Sequence, residues 1–210
     1  MRGKNKNATA TTAMRHQKGI KDMSERETTG TQQMVRMMTH YMAWANTKMF
    51  NSVSRISDGE IVKERQTLFG NIAHTFNHIL VVHNIFQAHL EGKSHPYTAR
   101  NTETSPPIAE VRDQLEKMDQ YYVALAGQLS QVELDEVINF TFVGGGDGAM
   151  TRLEILLHLV NHSTYHRGFI SDMLYQVPHK GDNNDLPVFL RDAWPGIHAG
   201  LGEPSVKEAV

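Results

Sequence analysis

The chain has 210 residues, a formal net charge of −2 and no cysteine. That length suffices for one domain with a sizeable core, and the near-neutral charge offers no global field to nucleic acid or to an anionic membrane. The lack of cysteine excludes disulfides, protein thiolate ligands and a cysteine nucleophile. No apolar run reaches the ~20 residues of a membrane helix, and no N-terminal stretch has the apolar centre of a secretory signal, so a cytoplasmic protein is expected.

Residues 1–30 carry seven Lys or Arg against three Asp or Glu and almost no large apolar side chain. Such a segment cannot bury enough surface to offset its ordering entropy, and is read as a disordered leader. A non-native leader or an overlong gene start is preferred to a basic nucleic-acid arm. Residues 31–195 are read as the folded unit, and 196–210 as a loose C-terminal tail.

From Met34 the apolar positions Met37, Met38, Tyr41, Trp44, Ala45, Met49 and Val53 recur at helical spacing, up to a break at Asp58-Gly59. A second periodic stretch runs from about Leu68 to Leu90. Residues 93–107 read as a loop, and Pro107 opens a third helix that continues through Leu129. Val137–Phe142 alternates and is β-prone; with the glycine turn 144–148 and residues 149–151 it predicts a small hairpin. A phosphate cradle is the competing reading of those glycines, but no Gly-Lys-Ser/Thr completes it. Thr151-x-x-Glu154 has capping-box spacing and opens a fourth helix to about Gln176. Asp185–Leu190 and Trp194 are expected to pack on the bundle. The fold class is therefore all-α: a four-helix bundle with a small hairpin or irregular insert before the last long helix.

Twelve histidines direct attention to metal chemistry. His162 and His166 stand four apart on the fourth helix, so both rings lie on one face, one turn apart. His158 extends the stripe by a turn, and His74 and His78 repeat the spacing on the second helix. Either pair alone is also what hydrogen-bonded core histidines look like. A di-iron site lacks its glutamates: Glu154 and His158 are four apart, and the second helix has no inward glutamate. No His-Glu-x-x-His motif occurs.

The stretches Tyr41–Asn46, Phe69–Ile72 with Asn77–Val82, and above all Leu156-Leu157-His158-Leu159-Val160-Asn161-His162-Ser163-Thr164-Tyr165-His166-Arg167-Gly168 resemble the DinB family of damage-inducible proteins, unrelated to the DNA polymerase of that name. The resemblance runs from about Met34 to Leu190, with a weaker echo at Asp185-Leu186-Pro187 and Phe189–Arg191. It implies a four-helix bundle that holds a divalent metal through one histidine of the second helix and two of the fourth, which map to His78, His162 and His166. His74 and His158 then become pocket-wall residues or supports of the ligands. His83 points away from the metal face. Phe169 stands where relatives often carry glutamine.

Three neutral histidines leave an ion such as Zn²⁺ or Ni²⁺ with open positions. Members of the family use low-molecular-weight thiols to transfer or isomerise substrates, and others are described as metal-dependent hydrolases. The expected function is thus a metal-dependent enzyme on a small-molecule substrate, a thiol transferase ahead of a hydrolase, with a non-enzymatic metal-binding stress-response protein as the alternative. Arg167 is the candidate anchor for an anionic substrate group; Asn46 and Tyr165 are candidate catalytic polars, and Asn77 a further pocket polar. Neither nucleic acid nor membrane is expected as a partner, and a homodimer is left open. Metal binding is expected to weaken below pH ~6.5, where free imidazole protonates.

Overall fold

The structure is a computed structural model that describes residues 29–177 and 179–201. The expected disorder of residues 1–28 lies outside the described residues, as does the tail beyond residue 201. Eight helices and one two-stranded sheet are present among the described residues: α1 (Gly30–Val53), α2 (Asp58–Val62), α3 (Ile72–Leu90), α4 (Ile108–Gln128), α5 (Gln131–Leu134), β1 (Val137–Thr141), β2 (Asp147–Thr151), α6 (Arg152–Tyr175), α7 (Leu186–Asp192) and α8 (Trp194–Gly200). None is long and apolar enough to cross a membrane.

The four long helices α1, α3, α4 and α6 enclose the core. Phe50 stacks on Phe76 with ring centroids 4.0 Å apart, joining α1 to α3. Tyr122 on α4 donates its hydroxyl to the His83 carbonyl of α3 at 2.6 Å. Leu156, Leu159, Ile170 and Met173 of α6 are wholly buried in the same core. Burial on this scale, not helix propensity, is what holds such helices together.

Helix boundaries follow local chemistry. The α3 helix starts at Ile72 and not near Leu68, because Gly70 takes a positive φ of 75° that glycine alone adopts readily. Asn71 then caps the helix, its side chain accepting the His74 N–H at 2.8 Å. Phe69 is left outside the helix, folded towards its inner face. The break expected at Asp58-Gly59 falls earlier, since Ser57 caps the short helix α2 that begins at Asp58.

The capping box of α6 is complete. Thr151 Oγ1 accepts the Glu154 N–H at 3.1 Å, and Glu154 accepts the Thr151 N–H at 2.7 Å. The hairpin before it is antiparallel with Phe140 opposite Gly148. Its turn is shorter than the glycine run: Gly145 and Gly146 have φ of 87° and 93°, but Asp147 and Gly148 already belong to β2. A Cβ at Gly148 would lie 2.5 Å from the Phe140 ring, so the bare backbone makes room for that ring.

The C-terminal segment packs as expected. Phe189 of α7 is fully buried, its ring 5.7 Å from Tyr41 and 5.6 Å from Trp44. Residues 196–200, expected to be loose, close the short helix α8, with Trp194 at its start lying 5.9 Å from the His40 ring.

Candidate metal centre

Helices α3 and α6 pack side by side and bring His78, His162 and His166 together. One ring nitrogen from each lies within 4.8 Å of the others, and this is the one such group of three or more ligating side chains among the described residues. His78 Nε2 is 2.9 Å from His162 Nε2. Two imidazoles on one Zn²⁺ in tetrahedral geometry have their nitrogens roughly 3.3 Å apart, between these two separations.

His78 is held by the loop after α3. Its Nδ1–H donates to the Arg100 carbonyl at 2.8 Å, with Asn101 Oδ1 at 3.1 Å. That fixes the tautomer and leaves the Nε2 lone pair facing the cluster, as metal-ligating histidines are usually held. The Phe69 ring stacks on His78 at 4.3 Å and covers one side of the cluster. The loop is itself laced to α3. Asn101 donates to the His74 carbonyl at 3.0 Å, Asn77 donates to Thr102 Oγ1 at 2.7 Å, and Ser105 lies 3.1 Å from His74 Nδ1. Asn77 and His74 therefore act on the site through the loop.

The donors fit a metal. All are neutral imidazole nitrogens, which suits Zn²⁺, Ni²⁺ or Cu²⁺ and not Mg²⁺ or Ca²⁺. Nδ1 of His162 and Nδ1 of His166 are buried with no hydrogen-bond partner. Phe169 lies against the His166 ring, centroids 6.0 Å apart, where a polar side chain would have offered one.

Burial, then neighbouring histidines, push His162 down to about 2 and His166 to about 4, and burial lowers His78. A proton and a metal compete for the same lone pair, so imidazoles that stay neutral in acid keep the site competent below the pH ~6.5 expected from free histidine. Zn²⁺ occupancy at fixed metal concentration should hold at pH 6 and be lost as the pH approaches 4. Half-loss already at pH 6.5 would contradict this. The metal-free fold should also weaken in acid. Histidines with folded pKa values below their unfolded ones bind fewer protons when folded, so their stability is lost as pH falls below ~6.5. His83, fully buried and pushed down to about 3 by burial and by Arg167, belongs to that set. Asp119, raised to about 7 by burial, works in the opposite direction but is one group against several.

Two lobes of one cleft meet at the cluster. A cavity of about 640 Å³ opens beside all three histidines, between Phe69, Arg100, Asn101 and Tyr165. A second, of about 540 Å³, runs from His162 past His158 to the hairpin. Arg100, Val143, Gly144 and His162 line both. Tyr165 is 58% exposed at the mouth of the first lobe, its ring 5.0 Å from that of His166. His158 forms wall of the second lobe, its ring 5.5 Å from His162. His83 faces the other way, its Nε2 2.9 Å from Ser163 Oγ.

Arg167 and Asn46 are elsewhere. Arg167 follows His166 on the helix and so turns about 100° from it, into the bundle. Both side chains are 1% exposed and line neither lobe. Arg167 donates to Asn46 Oδ1 at 2.8 Å and to Thr164 Oγ1 at 2.9 Å, and Asn46 Nδ2 donates to both Asp119 oxygens at 3.0 Å. Arg167 is thus neither at the helix surface nor within reach of a substrate in the cleft. The cation that does face the cleft is Arg100, in a loop whose sequence carries no motif.

A helical bundle with three histidines of two helices at the foot of an open cleft is compatible with metal binding. The sequence model of the DinB family matches residues 23–199, and the chain belongs to that family. It is 26% identical over 156 residues to Protein DinB of Bacillus subtilis (strain 168), covering 71% of this chain and 90% of that protein. The crystal structure of a DinB-like protein from Bacillus cereus ATCC 10987 superposes with a TM-score of 0.52, at 17% identity, over 67% of this chain and 90% of that one, a likeness of fold.

Proposed function

We propose that this protein is a metal-dependent enzyme that acts on a small molecule, with thiol transfer favoured over hydrolysis. The observation that carries the reading is the donor set itself: three imidazoles converge on one point, and the fourth side of that point opens into a cleft. A metal sealed by protein would instead favour the non-enzymatic reading. When bound there, a Zn²⁺ or Ni²⁺ ion would supply Lewis acidity towards a coordinated thiol or water.

The choice between thiol and water rests on what surrounds the histidines. Among the described residues no Asp or Glu lines either lobe, so water there has no carboxylate to take up its proton and His158 alone as a base beside the cluster. A thiol needs less help, its ordinary pKa of ~8.5 lying far below that of water. Phe69 and the Arg100 carbonyl orient His78, the exposed Tyr165 ring borders the mouth of the first lobe, and His158, whose neutral form burial favours, offers a proton acceptor in the wall of the second.

Metal analysis of the purified protein, followed by a screen of small thiols against electrophilic acceptors, tests this reading. It expects thiol conjugation that depends on the metal and is abolished by H162A. Ester hydrolysis with no thiol requirement would favour the hydrolase, and metal binding without either activity would favour the non-enzymatic reading.

A further inference from the structure

The second lobe has a character of its own. Its wall is formed mainly by Val82, Ile85, Phe86, Phe142, Val143 and Met150. Phe86, on α3, packs on Phe140 of the hairpin at 5.6 Å and on His158 of α6 at 4.8 Å, so three elements close around the space. At about 540 Å³ it lies within the usual range of small-ligand cavities. Exposed apolar side chains border both lobes: Phe142 of the second is 49% exposed, and Leu68 and Tyr165 of the first are 60% and 58% exposed.

Charge enters at one place. Arg100 lines both lobes, is exposed, and has no ion-pair or side-chain hydrogen-bond partner among the described residues. Among the described residues no acidic side chain lines either lobe to compete for it. Its own carbonyl holds His78, so the backbone that positions the guanidinium is fixed to the histidine cluster. An anion placed against Arg100 therefore sits where the two lobes meet, and whatever is attached to it has an apolar chamber on one side and the histidines on the other.

We infer that the chamber between α3, α6 and the hairpin binds the apolar body of an acceptor substrate carrying a single anionic group, which Arg100 holds at the junction with the histidine cluster. This rests on the reading of the cluster as an enzyme site and adds to it the class of molecule: an apolar monoanion, not a sugar, a nucleotide or a polycation. A sugar would leave its hydroxyls unpaired against Val82, Ile85 and Phe86. A nucleotide's multiple charges exceed the one cationic side chain that lines the lobes among the described residues.

Octanoate and its uncharged isostere octanamide separate the two parts of the inference. Calorimetric titration of the full chain, both Zn²⁺-loaded and metal-free, should show octanoate binding at least tenfold more tightly than octanamide. R100Q should remove about tenfold of the octanoate affinity and leave octanamide within twofold. M150W, which fills the chamber from β2, should weaken both ligands about tenfold. Should M150W not fold, the Met150 methyl resonance of the wild type should still shift on adding either ligand. Octanoate binding that requires Zn²⁺ and ignores Arg100 would overturn the inference, because the carboxylate would then be a metal ligand. Equal weakening of both ligands by R100Q, or a Met150 methyl that neither ligand moves, would overturn it too. Zn²⁺ affinity is measured on each variant and should match wild type. A protein that binds no Zn²⁺ yet discriminates octanoate through Arg100 defeats the enzyme reading alone, whereas one that binds Zn²⁺ but not octanoate defeats the subsite alone.

Discussion

Alanine at His78, His162 or His166 should each strip the protein of most of its metal while leaving its helical circular dichroism unchanged. Each ring is one of only three protein donors, so its loss should exceed the ~10–100-fold that removing a residue supporting a ligand usually costs. The fold should survive because the core is built from other side chains: Phe76, Ile79, Leu156, Leu159 and Ile170 are fully buried around the cluster. H158A should keep the metal, since His158 lies in the chamber wall with its ring 5.5 Å from His162. H74A should keep it with an affinity lowered by up to about tenfold, since it removes the contact of Ser105 with the His74 ring that helps to hold the loop. His83 differs from both. It is wholly buried between Ser163 and Tyr122, so H83A should retain the metal but lower the melting temperature. Elemental analysis and thermal melts of the six variants check the set. Metal retained by H162A and lost by H158A would place the site one turn earlier on α6.

Removing Asn46 should be the most destabilising single change in the polar interior. Its amide joins three helices: its oxygen accepts from Arg167 of α6 and its nitrogen donates to Asp119 of α4. In N46A the guanidinium and the carboxyl each lose a buried partner, at about 1–3 kcal/mol per group left unsatisfied. A total of roughly 3 kcal/mol corresponds to a fall of about 6–12 °C in melting temperature for a chain of this size. Burial raises the Asp119 carboxyl to about 7, and the Asn46 hydrogen bond, followed by the Arg167 charge, keeps it from rising further. The variant should therefore carry a neutral Asp119 to higher pH. Metal occupancy at low temperature should be that of wild type, because neither Asn46 nor Arg167 reaches the histidines. An unchanged melting temperature would show that water or repacking restores the bridge.

The histidine cluster and the Asn46 bridge are unequally legible in the sequence. The long helices, the Thr151–Glu154 box and the hairpin announce themselves through periodicity and local hydrogen bonding, which need no knowledge of the rest of the chain. The i, i+4 spacing puts His162 and His166 on one face, but spacing cannot say that His78 and not His74 meets them. That depends on how α3 lies against α6, and the family resemblance supplied the choice. Arg167 was misplaced for a physical reason. An arginine on a helix normally lies at the surface, and only the partners Asn46 and Asp119, from helices distant in sequence, make its burial tolerable. Arg100 was missed because its role comes from the path of a loop with no periodicity: its carbonyl reaches His78 while its side chain faces the cleft. Gly148 misled in a smaller way, since a glycine run reads as turn while this one makes room for the Phe140 ring inside a strand.

An open metal site with three histidine donors has a distinctive X-ray absorption spectrum at the zinc edge of Zn²⁺-loaded protein. Three nitrogen donors at about 2.0–2.1 Å with oxygen completing the shell are expected. A small thiol added to the sample should replace that oxygen with a sulfur at about 2.3 Å, and no cysteine in the chain can supply it. A shell closed by four protein donors, or one that does not change when the thiol is added, would contradict the open site.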